Sequence, residues 1–158
     1  QKALPLDTFL KKFNHKFLIL NVKEEGIENL ILNYVKKNRI KNYFLLDVTI
    51  PKIFQFIKNK KKNNLCLRIS KFEKLNQLNF FNKKIEWIWV DTFDNKIPLN
   101  VNDLEGYSKK FKLCLVSPEL VKTNNINVTK FIKINKYKLN FFSAVCSKNI
   151  KTWEKYGY

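Results

Sequence analysis

The strand pattern of the chain is plainest in Ile85-Glu86-Trp87-Ile88-Trp89-Val90, followed by Asp91 and Thr92. Four successive positions, Trp87 to Val90, are apolar. A strand with one face in water alternates apolar and polar residues; a continuous apolar run marks a strand buried on both faces, as in a parallel sheet. Five more runs read the same way, at 17–22, 43–48, 65–69, 112–116 and 140–145. Each has the usual strand length. They recur at about the length of one βα unit, which predicts strands alternating with helices.

The segments between the runs carry helical spacing. Ile27, Leu30, Ile31, Tyr34 and Val35 fall on one face of a helix. Leu6, Leu10 and Phe13 predict a shorter helix with Asp7 as its N-cap, and Pro51 opens one that carries Ile53, Phe54 and Ile57. Asn102 or Asp103 is expected to cap a helix bearing Leu104 and Tyr107. Ser147 is expected to cap a last helix with Ile150 and Trp153, ended by Gly157. Residues 126–134 fit helix and strand equally. Six βα units imply a parallel sheet with helices outside it, and both a doubly wound sheet and a (β/α)₈ barrel fit. Gly26 and Gly106 are isolated, so no glycine-rich phosphate loop follows a strand.

Thirty-one basic residues against thirteen acidic ones give the 158-residue chain a net charge of +18. Only Arg39 and Arg68 are arginines, and Ala, Gly and Pro are scarce while Lys, Asn, Ile and Phe abound. Sites for phosphates and bases favour the bidentate fork of Arg. A nucleotide-composition bias explains the enrichment and the depletion together, so no specific nucleic-acid partner is expected. The densest lysine run, residues 58–62, reads as a solvated helix end and loop. Trp87, Trp89 and the fourteen Phe read as packing groups, not base-stacking platforms. Cys66, Cys114 and Cys146 are far apart and lie in apolar runs, which fits buried thiols in a reducing compartment and not a zinc site. No run reaches the length of a membrane span. A cytoplasmic protein without a transmembrane segment is therefore expected. The chain contains no Met, from which an upstream natural start is expected; a processed N-terminus is the rival explanation.

In parallel α/β folds ligands bind at the carboxyl ends of the strands. The polar residues there are Asn21 and Lys23, Asp47, Arg68 and Ser70, Asp91, Ser117 and Glu119, and Cys146 and Ser147. Any one of them alone reads as a cap or loop residue. Three carboxylates with a Lys and an Arg on one rim would suit an anionic ligand, with or without a divalent cation.

These residues carry a resemblance. Leu6-Asp7-Thr8-Phe9-Leu10, Leu18-Ile19-Leu20-Asn21-Val22-Lys23 and Tyr43-Phe44-Leu45-Leu46-Asp47 are similar to the third and fourth barrel-strand regions of the glycerophosphodiester phosphodiesterase family. Ile88-Trp89-Val90-Asp91-Thr92-Phe93 and Leu113-Cys114-Leu115-Val116-Ser117-Pro118-Glu119 look like later strands of a divergent branch. The resemblance spans nearly the whole chain. It implies that residues 1–158 form one partial (β/α)₈ TIM-barrel domain of about six βα units, its first two strands missing. It implies hydrolysis of a phosphodiester of glycerol, lipid or polysaccharide, with a Ca²⁺ or Mg²⁺ ion held by carboxylates and two histidines moving protons. Lys23 matches the lysine that balances phosphate charge. Asn21 stands where the family carries a metal-ligating Glu and offers only a neutral carbonyl oxygen. Arg68, Asp47, Asp91 and Glu119 become substrate-binding candidates. The family's histidines lie before Gln1, and His15 matches neither, so the chain alone is expected to be inactive. A degenerate barrel, or a lysine-rich module for nucleic acid or an anionic membrane, is the alternative.

Overall fold

A computed structural model describes residues 3–58, 64–74, 78–121 and 126–158. The chain divides into two compact units, 1–65 and 66–158. Unit one runs α1 (Leu6–Lys11), β1 (Leu18–Asn21), α2 (Glu28–Lys37), β2 (Tyr43–Leu46) and α3 (Ile50–Lys58). Its strands pair in parallel, Leu18 with Tyr43 through Asn21 with Leu46. Leu65 bridges Leu45 in parallel, with the Leu45 N–H donating to the Asn64 carbonyl at 2.7 Å. Phe44, Leu45 and Leu46 are buried with Ile31 and Val35 of α2 and Ile53 and Phe56 of α3. Leu30 is 52% exposed, so the buried stripe of α2 is narrower than its apolar spacing predicts.

Unit two runs β3 (Cys66–Ile69), α4 (Leu78–Phe81), β4 (Trp87–Val90), α5 (Val101–Ser108), β5 (Lys112–Val116), α6 (Val128–Leu139), β6 (Ala144–Cys146) and α7 (Ile150–Lys155). Short 3₁₀ turns, Phe93–Asn95 and Pro118–Leu120, follow β4 and β5. The four strands form one parallel sheet in the order β3-β4-β5-β6. A mixed α/β architecture with parallel strands and intervening helices is thus present in both units. The 126–134 ambiguity resolves as helix.

The two faces of this sheet differ chemically. Residues two apart on a strand share a face. Register sets Arg68, Trp89, Cys114 and Ala144 in one row. That face also carries Cys66, Trp87, Lys112, Val116 and Cys146. The opposite face is aliphatic: Leu67, Ile69, Ile88, Val90, Leu113, Leu115 and Val145.

Four local expectations need correction. Pro5, not Asp7, holds the N-cap of α1, and Asp7 lies in the first turn, ion-paired to Lys11 at 2.9 Å. Asn100, not Asn102 or Asp103, caps α5: its side chain accepts the Asp103 N–H at 2.8 Å. The N-cap of α7 is Asn149, not Ser147, and Ile150 is 62% exposed. The last strand covers only Ala144–Cys146, because α6 runs on to Leu139 and Asn140 ends it. Lys58 closes α3, while 59–62 of the lysine run lie outside the described residues.

Candidate functional site

In unit one, parallel pairing brings the carboxyl ends of β1 and β2 side by side. Asn21 ends β1 and is exposed. Two residues on, the Lys23 ammonium donates to Asp47 Oδ2 at 2.9 Å. Asp47 follows the end of β2 with a left-handed backbone, φ 64°. Such a conformation suits the short polar side chain of Asp and turns the chain out of the strand. The loops beyond are tied together: the Thr49 hydroxyl donates to Glu25 Oε1 at 2.9 Å, and the Gly26 N–H donates to Glu28 Oε2 at 3.1 Å. Gly26 itself has φ 97°, a conformation that a Cβ would strain. Glu28, 1% exposed, has the Lys52 ammonium 3.9 Å away. The Lys23 side chain is 73% exposed, and an ion pair that wet contributes only about 0.2–1 kcal/mol to folding. The fold gains little from it; what it creates is a cation positioned at a strand end.

His15 lies at the other end of β1. It precedes the strand, packs tilted against Phe13 with ring centroids 5.6 Å apart, and lines a cavity of about 280 Å³ with Asn38 and Asn42. The one histidine is therefore at the amino edge, away from Asn21, Lys23 and Asp47.

In unit two the carboxyl ends carry two networks. The first centres on Asp91, 3% exposed just past β4. Arg68 Nη1 donates to Asp91 Oδ2 at 3.0 Å, and the Trp89 indole N–H donates to Oδ1 at 3.0 Å. Both donors come from the Arg68–Trp89 row of the sheet. A buried carboxylate is tolerated when its charge is paired and its lone pairs are hydrogen-bonded, and both conditions hold.

The second network centres on Glu119. It accepts from the Ser117 hydroxyl, from the Ser147 hydroxyl at 2.5 Å and from the Lys148 N–H at 3.0 Å. The Trp153 indole N–H donates to Ser117 Oγ at 3.0 Å, and the Asn149 N–H donates to Ser147 Oγ at 2.8 Å. Burial alone would raise the Glu119 carboxyl, but the two hydroxyls and the Lys148 N–H outweigh it and hold it below the usual range. Both oxygens are thus occupied in tying the loop before α7 to the turn after β5. Cys146 lies in the field of both carboxylates: burial pushes its thiol up, and the charges of Glu119 and Asp91 push it further. Burial also drives Cys114 up to about 12. Both thiols stay protonated at neutral pH and are poor nucleophiles.

The structure thus joins the predicted residues within each unit, Lys23 with Asp47 and Arg68 with Asp91, and gives Glu119 a structural post. Sequence reading missed Trp89 as the second donor to Asp91. The signal was the i, i+2 spacing, which puts both side chains on one face of a strand. A divalent cation does not fit the residues present. Asn21 brings no charge, Asp47 Oδ2 is held by the Lys23 ammonium, and the described residues hold no group of three His, Cys, Asp or Glu that could take an ion. Among the described residues no helix is long and apolar enough to cross a membrane. No family model, curated protein or solved structure matches the chain.

Proposed function

We propose that residues 1–158 form the phosphodiester-binding part of a (β/α) barrel of the glycerophosphodiester phosphodiesterase type. The observation that carries this reading is the Lys23–Asp47 pair, set at the carboxyl ends of adjacent parallel strands beside Asn21.

In this reading Lys23 neutralises a phosphoryl oxygen, and Asp47 holds the ammonium in place until substrate arrives. Preorganised charge of this kind acts where negative charge grows during displacement at phosphorus. His15, at the amino edge of β1, takes no part in this reading. The substrate is a phosphodiester of glycerol, lipid or polysaccharide.

The test is hydrolysis of a glycerophosphodiester by the natural protein that contains this chain, followed as release of the phosphomonoester. Lys23→Ala is expected to lower kcat/KM about 100-fold while changing folding stability by less than about 1 kcal/mol. Unchanged turnover in a folded Lys23→Ala variant would contradict the role given to Lys23. No turnover by the wild-type protein on any phosphodiester of these classes would contradict the proposal itself.

A further inference from the structure

The outward face of α6 is unlike that of any other described helix. Val128, Phe131, Ile132 and Leu139 bury one side. On the opposite side, at i, i+3, i+4 and i+7, stand Lys130, Lys133, Ile134 and Tyr137, all exposed. Ile134 is 71% exposed and Tyr137 66% exposed, among the most exposed large apolar side chains described. Tyr137 is braced edge-on by Phe141 at 5.8 Å. No carboxylate among the described residues pairs with Lys130, Lys133 or Lys136. The reason lies in the sequence: between Glu119 and Glu154 there are seven lysines and no Asp or Glu. Composition bias accounts for abundant Lys and Ile. It does not account for an unpaired basic face with an aliphatic centre on one helix, when α1, α2 and α5 each carry acidic residues and α3, which has none, sets its Lys52 3.9 Å from Glu28.

We propose that α6 is a docking face for an anionic lipid surface, lying in the plane of the headgroups. The charge is complementary to such a surface, and lysines near it strengthen attachment by roughly fivefold each. The apolar centre selects bilayer over nucleic acid. An isoleucine cannot stack on a base and has no use against a phosphate backbone, but it enters the acyl boundary, with Tyr at headgroup depth. The lysines supply no bidentate base contact. This proposal does not rest on the phosphodiester reading.

Co-sedimentation of the chain with vesicles tests it, using phosphatidylcholine alone and equal parts phosphatidylcholine and phosphatidylserine. Binding is expected only to the anionic vesicles and is expected to weaken with salt. The pair Lys133→Glu with Lys136→Glu, and separately the pair Ile134→Ser with Tyr137→Ser, should each weaken it about tenfold or more. Thermal melting confirms that both variants fold. The exposed pair Lys12→Glu with Lys16→Glu makes the same charge change elsewhere and should weaken binding far less. Equal loss in that control would make the attraction a diffuse effect of net charge and overturn the proposal. So would unchanged binding in the Ile134→Ser, Tyr137→Ser variant, or binding to single-stranded RNA with none to vesicles.

Discussion

Glu119 shows how a strand-end carboxylate divides between structure and chemistry. From sequence it is one of several acidic groups that a parallel sheet places on its ligand-binding rim. In the folded chain its oxygens accept two hydroxyls and a backbone N–H. Those partners come from its own turn and from 28 residues further on, a juxtaposition that spacing alone does not encode. Lys23 and Asp47, by contrast, are legible: each follows a recognisable strand, and parallel pairing makes their meeting a consequence of register. The Glu119 network also makes a prediction. Its folded-state pKa lies below the ordinary 4.5, so its contribution to stability is fully present above that value and is lost as pH falls through the folded-state value. Asp7, bonded to Lys11, and Glu105, bonded to Lys109, are displaced in the same direction. Denaturant titrations across the acid range should therefore show stability falling with pH, and Glu119→Gln should flatten that slope without abolishing it. An unchanged slope would mean that the Glu119 bonds do not persist in solution.

At the scale of elements, strand identity was the most legible layer. The runs at 43–48, 85–90 and 112–116 gave β2, β4 and β5 because continuous apolarity with β-branched and aromatic residues has few other uses. Helix ends were the least legible. Asn100, Asn102 and Asp103 are all acceptable caps by type, and the outcome depends on which of them is the last to keep an extended backbone before the helix begins. Asn100 is that residue, with φ −77° and ψ 176°, and its side chain accepts the Asp103 N–H. Asn100→Ala should destabilise the chain by about 1 kcal/mol, while Asn102→Ala, at an exposed helical position, should be near neutral. Urea melts of the two variants check this, and the reverse order would place the cap at Asn102. The strand read at 140–145 shrank to three residues for a related reason. Lysines through the middle of α6 disguise a helix whose buried stripe, Phe131, Ile132 and Leu139, is set at helical spacing.

For the whole molecule, the parallel α/β character follows from six strands each returned by a helical connection, and that was readable from rhythm alone. The division at Leu65 was not, because no Pro-, Gly- or Ser-rich linker marks it and Leu65 itself is a buried core residue. The charge of +18 is likewise uninformative as a sum and informative only where it is local: one ammonium fixed by Asp47, and one helix face with no acidic neighbour. The proposed recognition of an anionic phosphodiester belongs to the carboxyl ends of β1 and β2, and not to lysine at large. Nuclear magnetic resonance shift mapping of the chain with a glycerophosphodiester distinguishes the two. Saturable shifts are expected at Asn21, Val22, Lys23 and Asp47, abolished in Lys23→Ala. Shifts scattered over the surface lysines, or confined to the amino-edge cavity beside His15, would contradict it.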